Sequence, residues 1–308
     1  MLLTDCDKPV AAAERVAVLM KKNVFYFVLL AVACVLSAAL RTLEILFGID
    51  ADTGMYSIGS NWHVVFNIVA VISVVLLLSA FIFIRKEKKS LRRPLTALSA
   101  PQRILFMVFS AAALVDAISN VFIKFASAGY SLSGAVDAFD ILLLIFAVLL
   151  SSFFVAYASA PRLFGSSASF RILSVSVSGF YIVRLFETFL DESIISHAYK
   201  TYSILFTGFV ILFFINFSKG LSGMHARKGM QAFGLCSVYL GVIRAVDCVF
   251  SFLPGYNIPG RITAHVCDVI CTAAVLVLML KCFRRRRSSA AQAADREVGG
   301  VISERPGA

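Results

Sequence analysis

Nine charged residues inside long apolar stretches are the positions best suited to chemistry. Three stretches carry an arginine three residues before an acid, and three other stretches carry an aspartate. At this spacing an arginine and an acid share one helix face and can neutralise each other. Ionisable residues inside a membrane face the protein interior or a water-filled cavity. The sequence therefore predicts a polar substrate-binding pocket formed by Arg41, Glu44, Asp116, Asp140, Arg184, Glu187, Arg244, Asp247 and Asp268.

The charge balance around this layer favours a cationic or polar solute. In the layer and the loops on its side, eleven acids stand against six bases, which leaves five negative charges if all are ionised. Such a surface attracts cations and is unsuited to nucleic acid. The alternative is that the arginine and acid pairs are static struts that set how the helices pack.

Three histidines near the starts of apolar segments form a weaker candidate metal site. They are His63, His197 and His265, and His265 lies three residues before Asp268. A zinc-like site needs histidine and carboxylate ligands that converge from several helices. The alternative is that each histidine makes only ordinary hydrogen bonds. No cofactor is strongly implied, and the seven cysteines, which lack paired metal spacing, are predicted to be free thiols.

The composition places these residues in a membrane protein. Of the 308 residues, 59% are hydrophobic and only 15% are charged, against about 25% charged in soluble domains. A spanning helix needs about 20 apolar residues. The long apolar segments predict an all-α, multi-pass bundle of eight transmembrane helices at 23–47, 62–84, 103–124, 137–159, 170–190, 200–217, 229–253 and 261–283.

The basic residues predict the orientation of the helices. On one side, 21 Lys and Arg lie near the segment ends, whereas the opposite loops hold three. The positive-inside rule therefore places both termini in the cytoplasm and the polar layer outside. Residues 1–22 form a cytoplasmic arm, 23–283 the membrane domain and 284–308 a basic, disordered tail. Alternatively, residues 1–39 are a cleaved signal peptide, which leaves seven helices.

The polar positions also suggest an internal repeat. The offset from Glu44 to Glu187 is 143 residues and that from Asp116 to Asp247 is 131. Four similar hairpins, grouped as half-repeats 23–159 and 170–283, would follow from duplication of a four-helix unit. The alternative is that any helix end near an interface is polar.

Three functions are consistent with the sequence. Phosphate loops, nucleophile elbows and dinucleotide fingerprints are absent, which argues against nucleotide-driven pumping or conventional hydrolysis. The first hypothesis is a transporter, or its membrane-embedded binding subunit, in a prokaryotic plasma membrane in contact with lipid. The second is a sensor that meets a cytoplasmic protein through the loop from Arg85 to Arg103. The third is a metal-dependent enzyme that acts on a lipid.

Overall fold

The computed structural model describes residues 7–49, 61–83, 95, 97–127, 137–160, 168–190, 197–256, 258 and 260–303, without the side chains of 7–23, 168, 171, 197–198 and 284–303. All regular structure in these residues is helical. The helices are α1 (Asp7–Gly48), α2 (Trp62–Phe83), α3 (Ala100–Ser127), α4 (Ala138–Ser159), α5 (Ala168–Leu173), α6 (Ser176–Leu190), α7 (His197–Leu221), α8 (Arg227–Ser251) and α9 (Ile262–Ser303).

Six of the helices form a closed ring. α3 packs on α4, α4 on α6, α6 on α7, α7 on α8, α8 on α9, and α9 returns to α3. The hairpin of α1 and α2 lies outside the ring against α8. Helix α8 is thus covered on several sides. In its most apolar stretch 72% of the residues are buried, against 28% in the corresponding stretches of α1 and of α2.

Aromatic side chains fill the interior of the ring. Phe154 of α4 lies 5.1 Å from Phe109 of α3 and 6.3 Å from Phe214 of α7, measured between ring centroids. Tyr181 of α6 stacks on Phe214 at 6.4 Å. All four rings are fully buried. Aromatic pairs in such geometries contribute about 0.5–1.5 kcal/mol beyond their buried area, so this cluster ties four helices together.

Local sequence explains where two of the ring helices begin. Ser99 precedes α3, and its backbone N–H donates to Gln102 Oε1 at 3.0 Å, which is half of a capping box. Asp137 precedes α4, and its N–H donates to Asp140 Oδ2 at 2.9 Å. Asp140 is therefore held at a helix terminus, which limits its reach toward the centre of the bundle.

Seven helices are long and apolar enough to cross a membrane among the described residues. The fifth predicted span is the exception, because it is interrupted at Ser174 and Val175. Its longer part, α6, has 15 residues and is about 22 Å long, shorter than the roughly 30 Å hydrocarbon core. A multi-pass membrane protein is therefore supported, and the eighth crossing stays a prediction.

The chain ends differ from the sequence-based expectation. α1 begins at Asp7, so most of the predicted N-terminal arm continues the first helix. α9 runs to Ser303, where a disordered tail was predicted. The tail contains Ala, Gln, Arg and Glu, residues with favourable helix propensity, and a helix already exists to which they can add.

The predicted half-repeats are not matched by the principal helix contacts. α7 packs on α8, but the corresponding pair, α2 and α3, is not among the principal contacts of the described residues. The reason is that the hairpin of α1 and α2 lies outside the ring, while the remaining three pairs complete it. The duplication stays a prediction.

Candidate functional site: a chain of alternating buried charges

Charged side chains converge at one end of the bundle, where α1, α3, α6 and α8 finish and α9 begins. We call it the polar end. Glu44 pairs with Arg41 of its own helix at 2.5 Å. Arg41 Nε donates to Asp247 Oδ1 of α8 at 2.9 Å, and Asp247 pairs with Arg244 at 3.5 Å. These four residues join α1 to α8.

The series continues into the ring. Arg244 Nη2 pairs with Asp268 of α9 at 3.2 Å, and Asp268 also accepts from Arg184 Nη1 of α6 at 2.7 Å. Arg184 Nε lies 3.7 Å from Asp116 Oδ2 of α3. Asp268 therefore lies between two arginines and links α6, α8 and α9, and Asp116 links α3 to α6.

Arg261 completes the series. Its Nε lies 3.5 Å from Asp116 Oδ1, and its Nη1 donates to Glu187 Oε1 of α6 at 2.6 Å. Gly260, with a φ of +107°, makes the turn immediately before Arg261, a backbone conformation that favours glycine. The turn places Arg261 at the start of α9, facing α3 and α6.

Nine charges therefore form a series in which acid and base alternate. We call it the charge chain: Glu44, Arg41, Asp247, Arg244, Asp268, Arg184, Asp116, Arg261 and Glu187. Among the ion pairs of the described side chains, Glu44 and Glu187 are the outermost members of this series.

Burial of the charge chain is deep, but its two ends differ. Arg41, Glu44, Asp116 and Asp247 are fully buried. The side chain of Glu187 is 18% exposed. Buried charges are costly unless they are paired and hydrogen-bonded. Glu187 is therefore the end of the chain that a solute can reach most directly.

Aromatic rings surround the guanidinium at the buried end. The Arg41 Cζ atom lies 4.3 Å from the Tyr199 ring centroid, 5.4 Å from that of Phe66 and 6.0 Å from that of Tyr202. Cations within about 6 Å of an aromatic centroid are attracted by the ring quadrupole. Phe66 lies on α2 and both tyrosines on α7, so Arg41 connects the outer hairpin to the ring.

Electrostatics keep the last arginine of the chain charged. Burial lowers the pKa of Arg261, but Asp116, together with Glu187, outweighs this effect and raises that pKa above its ordinary value. An opposite charge within about 4–6 Å favours the ionised form. Arg261 therefore remains a cation and a hydrogen-bond donor at any physiological pH.

Eight of the nine predicted site residues belong to the charge chain, and Asp140 lies beside it. Asp140 accepts from Lys124 Nζ at 2.7 Å and from Asn120 Nδ2 at 2.8 Å. Asn120 Oδ1 in turn accepts from Arg261 Nη1 at 2.6 Å. Asp140 is thus linked to the chain through one amide side chain.

The prediction that each arginine pairs with the acid three residues later holds in two of three helices. In α6, Arg184 contacts Asp116 and Asp268, and Glu187 contacts Arg261. Sequence analysis counted Arg261 only as one of the six bases on the side of the polar layer and did not assign it to the pocket. The available signal was its position between a glycine and an apolar helix; in the structure it contacts two acids, Asp116 and Glu187.

In the part of the chain that is described, no converging set of ligands supports the predicted metal site. Within that part, no group of three or more His, Cys, Asp or Glu side chains is placed to hold a metal ion. His265 is fully buried beside Gly260, and the His197 side chain lies outside the described residues. The six described cysteines are free, as predicted.

The proposed partner loop from Arg85 to Arg103 lies largely outside the described residues. Its described part contacts the bundle through backbone carbonyls: Leu95 accepts from the Tyr157 hydroxyl, and Ala97 accepts from Lys281 Nζ. The end of the bundle opposite the polar end carries Arg103, Lys219, Arg227, Lys228 and Lys281, and we call it the basic end.

The geometry and the composition together identify a multi-pass helical membrane protein with a buried charge chain. Its sequence matches no protein-family model and no curated protein, and its fold matches no solved structure, so these features alone carry the functional argument.

Proposed function

We propose that the protein is a membrane transporter, or the membrane-embedded binding subunit of one, and that the charge chain binds a small cationic or polar solute. The observation that carries the proposal is the alternation of nine charges that leads from the buried interior to the partly exposed carboxylate of Glu187. A bound cation can pair with that carboxylate.

Buried charges are favourable only while they stay paired. Placing an ionised side chain near the centre of a bilayer costs about 2.5–3.5 kcal/mol on insertion scales, and more by simulation. A cation that displaces Arg261 from Glu187 keeps that carboxylate paired, and Arg261 retains Asp116 as its partner.

Glu187 is the proposed entry point. It is the more exposed end of the chain, and Arg261 is its partner there. A cation at Glu187 competes with Arg261, which still has Asp116 within 3.5 Å. Binding at this end therefore changes the pairing of the next acid, and Asp116 also contacts Arg184. Occupancy of Glu187 would in this way alter contacts that hold α3, α6 and α9 together.

We further propose that all eight segments cross a prokaryotic plasma membrane, with the polar end outside and the basic end and both termini in the cytoplasm. The bias of Lys and Arg supports this orientation. The crossing of α6 is supported by its pairing at both ends: Ser174 meets Ser218 near the end of α7, and Arg184 meets Asp268 near the start of α9. The similar polar positions of the two halves support an origin by duplication.

The test is ligand-dependent thermal unfolding of the protein purified in mild detergent. The panel is monovalent and divalent cations, amines and amino acids. A ligand at 100 times its dissociation constant should stabilise the protein by about 2.7 kcal/mol. We expect a cationic ligand to stabilise the wild type and the Asp137→Asn control, whose side chain is 73% exposed and outside the charge chain. We expect Glu187→Gln to abolish the shift.

Uptake into proteoliposomes then separates transport from binding alone. The ligand found in the panel should accumulate with the wild type and with Asp137→Asn, and not with Glu187→Gln. If no ligand stabilises the wild type, and Glu187→Gln is merely less stable, the charge chain is a set of struts and the proposal is wrong.

A further inference from the structure

A groove at the basic end lies next to the interruption between α5 and α6. Ser174 and Val175 separate the two helices, and the interruption is held by hydroxyl groups: Ser218 Oγ of α7 donates to the Ser174 carbonyl at 3.0 Å, and Ser176 Oγ donates to the Leu173 carbonyl at 2.6 Å. Backbone carbonyls released by a helix break must find donors inside a membrane protein. The two serines meet this need, so the break is a stable feature.

The groove has a volume of about 220 Å³ and an apolar lining with a polar rim. Its wall is formed by Val175, Ser178, Ile215, Ser218, Lys219, Ser222 and Met224. Small-molecule pockets usually measure about 300–1,000 Å³. A volume below that range suits one part of a larger molecule better than a complete solute.

One hydroxyl in this wall has no hydrogen-bond partner among the described residues. Ser178 is 1% exposed, and its Oγ makes no hydrogen bond there. By contrast, Ser218 donates to the Ser174 carbonyl and Ser222 donates to the Ser218 carbonyl at 3.0 Å. A buried unsatisfied hydroxyl costs about 1–3 kcal/mol. Ser178 is therefore the hydroxyl in the groove wall whose hydrogen-bonding capacity the described residues leave unused.

A second donor lies at the rim. Lys219 is exposed, in the last turn of α7. The turn that follows has two backbone hydrogen bonds, from Met224 N–H to the Lys219 carbonyl and from Gly223 N–H to the Gly220 carbonyl. Gly223 has a φ of +84°. This is a Schellman motif, and it brings the Met224 side chain and Lys219 to the same groove.

We propose that the groove binds the headgroup of an anionic phospholipid, with its phosphate at Lys219, an oxygen of the headgroup or glycerol backbone at the Ser178 hydroxyl, and the first acyl carbons against Val175 and Ile215. The chemistry is that of an amphiphile: a cation and a donor hydroxyl for the oxygens, and apolar walls for the hydrocarbon.

A lipid fits these observations better than free phosphate. The rim offers one cation, whereas the wall is mostly apolar, and free phosphate gains nothing from such walls. Lys219 also belongs to the basic end, where five described Lys and Arg side chains lie. Clusters of basic residues at a membrane exit attract anionic lipid. The groove therefore has both the charge and the surface that a membrane lipid needs.

The test measures lipid binding by native mass spectrometry of the delipidated full-length protein. The probe is phosphatidylglycerol, and phosphatidylcholine and inorganic phosphate are the comparison ligands. We expect Lys219→Gln to weaken phosphatidylglycerol binding about tenfold, the loss expected for one hydrogen bond to a charged group. Lys228→Gln is the matched control, because Lys228 is at the same end but lies over the Phe81 ring, 4.6 Å from its centroid.

Ser178→Ala separates a binding role from a structural one. Removal of an unsatisfied buried hydroxyl should leave the melting temperature of the lipid-free protein unchanged or raise it, and should still weaken phosphatidylglycerol binding several-fold. Equal affinity of the wild type for phosphatidylcholine, equal or tighter binding of inorganic phosphate, or unchanged affinity in both groove variants would each overturn the proposal. Glu187 is untouched in these proteins, so the outcome is independent of the charge chain.

Discussion

At the residue scale, the position of an acid in the charge chain decides what its removal costs. Asp247 contacts Arg41 and Arg244, so neutralising it leaves two buried arginines without the acid between them. Glu187 contacts only Arg261 within the chain. Neutralising Glu187 leaves Arg261 with Asp116 as its remaining acid partner. Two chemically similar substitutions should therefore have different effects.

We predict that Asp247→Asn lowers the free energy of unfolding by about 3–5 kcal/mol, the range measured when one partner of a buried pair is removed. Glu187→Gln should cost about 1 kcal/mol, the net contribution of a typical hydrogen bond, because its side chain is partly exposed and Arg261 keeps Asp116 as a partner. Chemical or thermal unfolding in one detergent measures both. Equal losses of unfolding free energy in the two variants would contradict the expected difference between the middle and the end of the charge chain.

At the element scale, close contact between α8 and α9 depends on a residue without a side chain. A Cβ atom added at Gly241 would overlap the Thr272 side chain of α9. Thr272 Oγ1 donates to the Asp268 carbonyl at 2.7 Å, which restricts its movement. The same two helices carry Arg244 and Asp268, so their separation also sets the geometry of the charge chain.

We predict that Gly241→Ala destabilises the protein by about 1–3 kcal/mol, the usual cost of overfilling a packed interface. Gly208→Ala in α7 is the matched control. A Cβ there meets nothing within 4 Å, and alanine has the higher helix propensity, so this variant should be neutral or slightly more stable. Thermal unfolding compares them. A neutral Gly241→Ala would mean that α8 and α9 are farther apart than the structure has them.

At the scale of the whole molecule, the crossing of α6 decides the topology. Asp137 stands at the start of α4, and Met224, 56% exposed, follows the end of α7. If α6 crosses the membrane, these two positions lie on opposite faces. If α6 turns back, they lie on the same face. The broken helix therefore distinguishes eight crossings from seven.

We predict that a membrane-impermeant maleimide labels Asp137→Cys in intact cells and labels Met224→Cys only after permeabilisation. The six described native cysteines are buried or only partly exposed, so a Cys6→Ser parent should give a low background and serves as the control. Labelling of both positions from the same side would contradict the eight-crossing topology.

Most of the charge chain could be predicted from the sequence. Eight positions of the charge chain were recognisable in the sequence, because an ionised side chain in an apolar helix must face the protein interior. Arg261 was not, because it lies just outside its helix and its role depends on the turn at Gly260. Asp140 lies beside the charge chain, because its carboxylate accepts from the Asp137 backbone N–H at the start of α4.

The sequence by itself determined an all-helical membrane protein, the approximate helix limits and the set of charges that must be buried, because hydropathy and helix length are local properties. Only the tertiary structure decided the partners. An arginine three residues before an acid can pair with that acid, as Arg41 does, or with an acid of another helix, as Arg184 does. The ring of six helices and the break at Ser174 likewise depend on contacts between distant segments, which a local pattern does not encode.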